Sequence, residues 1–502
     1  MHKILIANRG EIAVRVIRAA REAGIGAVAV YSDCDRRARH VRLADEAWPL
    51  GGNAPADSYL RIDRLIDIAR QCGADAVHPG YGFLAENAEF AAACRDAGLM
   101  FIGPTAEAID LMGSKTAARE AAARAGVASV PGTTRPLPAD LPDADVLQIA
   151  GEIGYPLMLK AVAGGGGKGM RTVAAPADLP SALRAARSEA QSAFGDAAVY
   201  LERRLERPRH VEVQLLGDVH GRVVPFVERE CSVQRRHQKV LEESPSPVLP
   251  EATRLALLEA ARRVAASVGY TNAGTIEFLL DASGAFYFLE MNTRLQVEHP
   301  ITEAVTGIDL VQWQFRLARG ERLTIDDAAA STARGHAIEC RVYAEDPDAG
   351  FMPSPGTLLR LTPPSGPGVR DDGGYDAGGE VPIFYDSLVS KLVAWAPTRE
   401  EAIARMRRAL GEYDIAGVRT TLPFFRWLLH SPAFLRGDVD TTFLDCELAA
   451  RDGEPFEPAD EAAEDLAAIA VAVDALLEGR GGPPAGDRRS RWTEIARAEA
   501  LR

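Results

Sequence analysis

A multidomain α/β chain is what this sequence predicts, on three observations. The opening alternates strand, helix and strand; four consecutive glycines sit between two strand-like segments near 155–173; and a strand–turn–strand run from Thr275 to Pro300 carries acidic side chains. The 502 residues leave room for two to four domains of about 100–200 residues each.

In chain order, Lys3 to Ala7 has the apolar character of a buried strand and Asn8-Arg9-Gly10 forms a turn. Glu11 to Ala23 places Ile12, Val16, Ala19 and Ala20 at helical spacing, and Ala27 to Tyr31 is a second strand. A dinucleotide-binding unit opens in this way, with Asp33 where a ribose-binding acid would stand, but its turn needs three glycines and this one has one. A further strand, Ala76 to His78, runs into Pro79-Gly80-Tyr81-Gly82-Phe83, a loop of the kind that lines ligand sites in α/β sheets. The prolines from Pro131 to Pro142 mark a domain boundary.

Beyond it, Tyr155 to Lys160 is an apolar strand leading into Gly164-Gly-Gly-Gly167-Lys168-Gly-Met170. Glycines in such a run either form a linker or expose backbone N–H groups to an anion, and the flanking strands favour a hairpin loop folding over phosphates. It is not a Walker A loop, because Lys168 is followed by Gly169 and not by Ser or Thr. A helix from Leu179 to Phe194 and a strand from Ala198 to Glu202 complete this unit.

The Thr275–Pro300 stretch reads as an antiparallel hairpin around a turn at Asp281–Ala285. A four-residue loop, Ala282 to Ala285, would set Glu277 and Glu290 nearly opposite each other on one face, with Asn292 beside them. Two carboxylates so placed repel, and a hard divalent cation with oxygen ligands is the simplest neutraliser.

Composition narrows the function. A formal charge of −14 argues against nucleic-acid binding. There is no apolar run of about 18 residues and no signal-peptide apolar region at the start, so the expectation is a cytoplasmic protein that does not span a membrane. The six cysteines are scattered with no Cys-x-x-Cys spacing, so neither a zinc site nor a disulfide framework is suggested. Only six of 57 basic residues are lysine (Lys3, Lys115, Lys160, Lys168, Lys239, Lys391), marking positions where a compact ammonium serves better than a planar fork, as on phosphate. The run Arg235-Arg236-His237-Gln238-Lys239 is flanked by acids on both sides, unlike a simple basic patch.

Ile6-Ala-Asn-Arg-Gly-Glu-Ile12, the Gly164–Met170 loop, Glu228 to Pro245 and Glu290 to Pro300 together resemble biotin carboxylase, an ATP-grasp enzyme. The resemblance runs from the N-terminus to about Cys446. It implies a Rossmann-like N-terminal domain (1–115), a linker and glycine-rich lid (116–203) and a C-terminal mixed α+β catalytic domain (204–447), followed by a tail (448–502).

The implied chemistry is ATP-dependent activation of bicarbonate to carboxyphosphate, then carboxylation of biotin on a carrier protein. By resemblance the Mg²⁺ or Mn²⁺ ligands are Glu277, Glu290 and Asn292. The nucleotide contacts are Lys115, Lys160, Gly166, Gly167, Met170, Glu202, Arg203, Leu205, His210, Gln234, His237 and Leu279. Arg203 stands where some members carry lysine, a position that contacts nucleotide through its backbone. Lys239, Arg294, Gln296 and Val297 would bind bicarbonate, Glu298 would deprotonate it, Arg341 would stabilise the biotin enolate, and Tyr81 would lie near the biotin ring. Lys115, Lys160 and Lys239 from the lysine census all fall on these anion contacts.

In the tail, Glu461 to Glu478 reads as an alanine-rich acidic helix, Gly479 to Gly486 as a linker and Trp492 to Leu501 as a short amphipathic helix; the segment either docks a partner or is disordered. No Met-Lys-Met is present, so biotin is expected on a separate carrier protein served also by a carboxyltransferase, and the resemblance implies a homodimer. Two other functions fit the nucleotide-site residues: a different ATP-grasp ligase, or a non-catalytic ATP-binding protein. Arg294, Gln296, Glu298 and Arg341 separate the first possibility from biotin carboxylation, and the intact acids argue against the second.

Overall fold

The alternation at the start of the chain builds a parallel sheet in the computed structural model, which describes residues 1–133, 135–138, 141–162, 170–457 and 461–479. Strands β1 (Lys3–Ile6), β2 (Gly26–Tyr31), β3 (Glu46–Pro49), β4 (Ala76–His78) and β5 (Met100–Phe101) lie in the order β3-β2-β1-β4-β5. The Gly10–Glu22 helix buries Ile12, Val16, Ala19 and Ala20, the stripe its periodicity predicts. Chain order reverses between β1 and β4, which opens a crevice at their carboxyl ends. Asn8, just after β1, clamps the loop after β4 there: its Nδ2 donates to the carbonyls of Pro79 and Tyr81, both at 2.7 Å. Gly80 has φ +65°, and a Cβ on it would come within 2.7 Å of Asn8 Nδ2, so glycine is required.

Strands β6 (Leu157–Ala161), β7 (Met170–Val173) and β8 (Val199–Arg203) form an antiparallel sheet in the order β7-β6-β8. Its apolar side chains pack with Leu183, Ala186 and Ala190 of the Leu179–Phe194 helix. Lys160 pairs with Met170, so β6 and β7 are the hairpin the sequence predicts. Gly166, Gly167 and Lys168 lie in 163–169, outside the described residues.

The largest sheet comprises β9 (Arg209–Gly217), β10 (Val223–Pro225), β11 (Arg229–Arg235), β12 (Gln238–Ser244), β13 (Asn272–Leu280), β14 (Phe286–Asn292) and β15 (His336–Tyr343), with the Leu388–Ala396 and Val369–Gly373 strands. Its order is β14-β13-β9-β11-β12-β15, then Leu388–Ala396 and Val369–Gly373, with β10 alongside β9. The Glu251–Ser267 helix packs Leu257, Ala261 and Val264 against Val213, Ile276 and Phe278, each fully buried aliphatic side chain contributing about 1.5–3 kcal/mol.

The hairpin differs from the predicted one in a detail that leaves its outcome intact. Leu280 pairs with Phe286, so the turn holds five residues, Asp281 to Ala285, and not four. A bulge at Leu289 then takes up the odd residue, because Phe278 pairs with Phe288 while Glu277 pairs with Glu290. Glu277 and Glu290 therefore still stand directly opposite each other.

Met1–Glu454 forms one unit and Pro455–Arg502 a second. Within the second, Glu461–Gly479 is the expected helix, with Leu466, Ile469, Val473 and Leu476 exposed. The predicted linker beyond Gly479 and the Trp492–Leu501 helix lie outside the described residues.

Candidate active site

Strand alternation sets one face of β9 with His210, Glu212 and Gln214 in a row. The β9–β13 register puts Glu212 opposite Glu277, which is itself opposite Glu290, so three acids cross three adjacent strands in one line. Three anions in a largely buried row are untenable unless cations enter it. Lys239 of β12 supplies one: its Nζ lies 2.5 Å from Glu212 Oε2, 2.8 Å from Glu277 Oε1 and 2.8 Å from Glu298 Oε1. Arg229 supplies another; it is fully buried and donates to Glu212 Oε1 at 2.5 Å, with its remaining N–H groups on Gln214, Thr302 and Thr275.

These neighbours separate the acids electrostatically. Burial pushes Glu277 up, but Lys239 and His210 outweigh it and hold the carboxyl well below its ordinary range. Glu290 goes the other way, raised by burial and then by Glu277 across the ladder. Asn292 donates from Nδ2 to Glu277 Oε1 at 2.8 Å. His210 accepts from Gln234 Nε2 at its Nδ1, 2.8 Å, which turns Nε2 toward Glu277 Oε2, 2.9 Å away.

The opposed pair Glu277/Glu290 with Asn292 beside it fits a hard divalent cation, because the charge repulsion that raises Glu290 is what such an ion would relieve. Ligand atoms of His210, Glu212 and Glu277 also lie within 4.8 Å of one another, so Glu212 extends the donor set on the β9 side.

On the nucleotide side, Glu202 at the end of β8 receives both Lys160 and Arg119. Lys115 at the start of the Lys115–Arg124 helix is lowered by burial while Glu290 and Glu202 pull it up, so it stands between the acid row and the β8 cluster. Leu279 sits opposite His210 across the β9–β13 ladder. Met170 opens β7, and Leu205 is half-buried just past β8. Arg203 is exposed and donates its backbone N–H to Pro131 O at 2.7 Å. His237 is exposed at the β11–β12 turn, where Arg236 and His237 both take positive φ, +50° and +65°, without being glycine.

Glu298 is fully buried and doubly held: Oε1 by Lys239, Oε2 by Nη2 of Arg341 at 2.9 Å. Burial raises it, yet Lys239, Arg341 and Arg229 prevail and keep it well below the usual carboxylate range, hence ionised. Arg341 donates from Nε to Glu242 Oε1 at 2.7 Å. Arg294 donates to Glu86 at 2.7 Å, Gln296 Oε1 at 3.0 Å and Asn292 Oδ1 at 3.1 Å. Gln296 Nε2 is buried with no acceptor among the described residues, a donor ready for an anion. The Val297 carbonyl accepts from Lys391 Nζ at 2.9 Å. Tyr81, under the Asn8 clamp, donates to Glu11, and the Lys391 ammonium lies 5.8 Å from its ring centre.

Among the residues named from the sequence, His210, Gln234, Lys239, Glu277, Asn292, Arg294, Gln296, Glu298 and Arg341 are joined by a continuous chain of polar contacts, Lys160 meets Glu202, and His237 and Arg203 are exposed. Sequence inspection missed Glu212, Arg229, Glu242 and Glu86. The alternation His210-x-Glu212-x-Gln214 was the available signal for the first. Lys391 stood in the lysine census without a role; it is fully buried, 3.1 Å from Glu11 Oε2.

Comparison with known proteins bears on the family of the whole chain. Family models match residues 1–109 (biotin carboxylase, N-terminal domain), 114–326 (carbamoyl-phosphate synthase L chain, ATP binding domain) and 339–446 (biotin carboxylase C-terminal domain). The chain is 52% identical over 442 residues to the biotin carboxylase of a Nostoc species, covering 88% of this chain and 98% of that one. It is 49% identical over 444 residues to biotin carboxylase 1 of Bacillus subtilis, again covering 88% and 98%. Among solved structures it superposes with a TM-score of 0.85 on the Campylobacter jejuni biotin carboxylase–β-γ-ATP complex, at 45% identity and 88% and 98% coverage. The TM-score is also 0.85, at 45% identity and 91% and 99% coverage, against the biotin carboxylase domain dimer of Hydrogenobacter thermophilus 2-oxoglutarate carboxylase, solved with MgADP, ADP and bicarbonate. With all three family models matched along its length, and about half its residues shared with these proteins over most of it, the chain belongs to the biotin carboxylase family.

Proposed function

We propose that this chain carboxylates biotin with bicarbonate and ATP through the residues gathered along β9, β12, β13, β14 and β15. The observation that carries this assignment is Lys239: one ammonium touches Glu277 of the acid row and Glu298 of the base region, so phosphoryl transfer and bicarbonate activation share a cation. A divalent ion held by Glu277, Glu290 and Asn292 would supply charge neutralisation for the triphosphate.

Bicarbonate is a weak nucleophile. Gln296 Nε2, Arg294 and Lys239 bind it; Glu298, already ionised, takes its proton as the carbonate oxygen attacks the γ-phosphorus and the bond to the ADP oxygen breaks. Carboxyphosphate releases CO₂ and phosphate, the phosphate removes the ureido proton of biotin, and Arg341 stabilises the resulting enolate as its nitrogen attacks CO₂. Lys115, Lys160, Glu202, Leu205, His210, Gln234, His237 and Leu279 hold the nucleotide, with Gly166, Gly167 and Met170 covering it. The lid at 116–203 and the flanking domains at 1–115 and 204–447 are part of this proposal. So are a homodimer, a biotin carrier on another chain and a carboxyltransferase partner. A cytoplasmic site of action is likewise part of the proposal; no helix among the described residues is long and apolar enough to cross a membrane.

The test is the purified chain with MgATP, bicarbonate and free biotin. Biotin-dependent ADP release with carboxybiotin as product is expected. ADP release indifferent to biotin, or driven by another acceptor, would assign a different ATP-grasp ligase; nucleotide binding without turnover would assign a regulatory role.

A further inference from the structure

The β12–β15 ladder carries a group that the mechanism above leaves idle. Glu339 is fully buried, and neither of its carboxyl oxygens has a hydrogen-bond partner among the described residues. It stands directly opposite Glu242, whose Oε1 accepts from Arg341 and whose Oε2 is also without a partner among the described residues. Directly opposed side chains share a face with Cβ atoms about 4.5–5.5 Å apart, so the unsatisfied oxygens of the two acids face one dry space.

The cations on that face are committed elsewhere. Arg341, on the same strand, serves Glu242 and Glu298; Lys391, on the Leu388–Ala396 strand, serves Val297 and Glu11. The other titratable groups on elements packed there are Glu298, His299 and Glu303, at and in the His299–Thr306 helix, and Arg370 and Asp372 of the Val369–Gly373 strand, where Arg370 is committed to Asp372 and Glu303. Glu243, His336 and Arg399 join one another on the opposite face. Burial, with Glu242 and Glu298 adding to it, raises Glu339 well above the ordinary carboxyl range against the pull of Lys391 and Arg341. Glu339 has no partner among the described residues and Glu242 has one only at Oε1, so two buried carboxylates this close cannot both stay ionised, and a single proton between them joins one oxygen of Glu339 to Glu242 Oε2.

We propose that Glu339 is a positioning residue for the acceptor half of the reaction, remaining protonated and donating its carboxyl O–H to Glu242 Oε2 so that Glu242 turns its other oxygen to Arg341. That function depends on Arg341 being the group that meets the biotin ureido oxygen. Glu242 without this donor would take up a proton itself and release Arg341 toward Glu298. With the donor in place, Glu242 keeps its charge and the guanidinium is held between the two acids.

Infrared difference spectra of the full-length chain at neutral pH test the protonation directly. Wild type minus E339Q is expected to show the carbonyl stretch of a protonated carboxyl; identical spectra in that region overturn the proposal. This arm needs no turnover, so it decides the state of Glu339 even if biotin carboxylation fails. In the assay, E339Q, whose amide donates in the same direction, is expected to keep kcat/KM for biotin within about twofold and an unchanged pH profile, whereas E339L loses about tenfold or more and shifts the profile. KM for ATP stays unchanged in both. E339L matching wild type, or E339Q failing as badly as E339L, overturns it.

Discussion

Arg341 Nη2 sits 2.9 Å from Glu298 Oε2, joining the cation assigned to the biotin enolate to the acid assigned to bicarbonate. Glu298 is thus held ionised in part by the guanidinium proposed to serve the acceptor. Glu298→Gln is expected to lower biotin-dependent ADP release by about 10²-fold or more while nucleotide affinity stays within about twofold. Steady-state rates and calorimetric titration with a non-hydrolysable ATP analogue measure the two; turnover near wild type would remove Glu298 from the base role.

Arg341→Met deprives Glu298 and Glu242 of their shared cation. Biotin-dependent turnover is expected to fall about 10²-fold, with ADP release in the absence of biotin much less affected. A parallel fall in both rates would place Arg341 in phosphoryl transfer instead.

The acid row should report itself through its metal requirement. Glu290→Gln removes one of two opposed carboxylates, so the Mg²⁺ concentration for half-maximal activity is expected to rise about tenfold or more. Metal titration at saturating ATP checks this, and an unchanged requirement would exclude Glu290 as a ligand.

Arg229→Met leaves Glu212 charged and buried without its bidentate-capable partner, an expected loss of about 3–5 kcal/mol measured as a drop in the urea midpoint. Adding Glu212→Gln to that variant should restore part of the loss. An unchanged midpoint in the single variant would show the pair to be energetically neutral.

His40 and His78 are fully buried, and burial lowers each to about 4. His78 Nδ1 accepts from the Gly80 N–H at 2.9 Å, a bond that only the neutral ring can make, and so it steadies the loop bearing Tyr81. Unfolded histidine takes up its proton near pH about 6.5, while these two resist until about 4. Their stabilisation is therefore complete above pH about 6.5 and is lost as pH falls toward 4, by up to about 3 kcal/mol for each ring. Thermal melts from pH about 8 down to about 5 should show this slope, reduced in His40→Gln; an identical slope in that variant would sink the assignment.

Much of this was legible in the sequence because its signals are local. The Glu277–Glu290 pairing follows from one hairpin, and an error of one residue in the turn was absorbed by the bulge at Leu289. The rarity of lysine pointed to Lys115, Lys160 and Lys239. Glu212 had one local signal, the alternation with His210 and Gln214, but Arg229, Glu242 and Glu339 had none, because their significance lies in partners on strands that are neighbours in the sheet but distant in the chain. Local periodicity says which face a residue shares with its own strand and nothing about which strand lies next to it.

Lys391 has consequences for anyone recombining this protein. Its ammonium spans from the Val297 carbonyl, beside Glu298, to Glu11 in the first helix. A chimera that takes its amino-terminal third from one homologue and the remainder from another must therefore inherit Glu11 and Lys391 as a matched couple. A graft that separates them strands a solvent-starved charge against the loop carrying Val297 and Glu298, with a cost in stability felt at a distance from any crossover point.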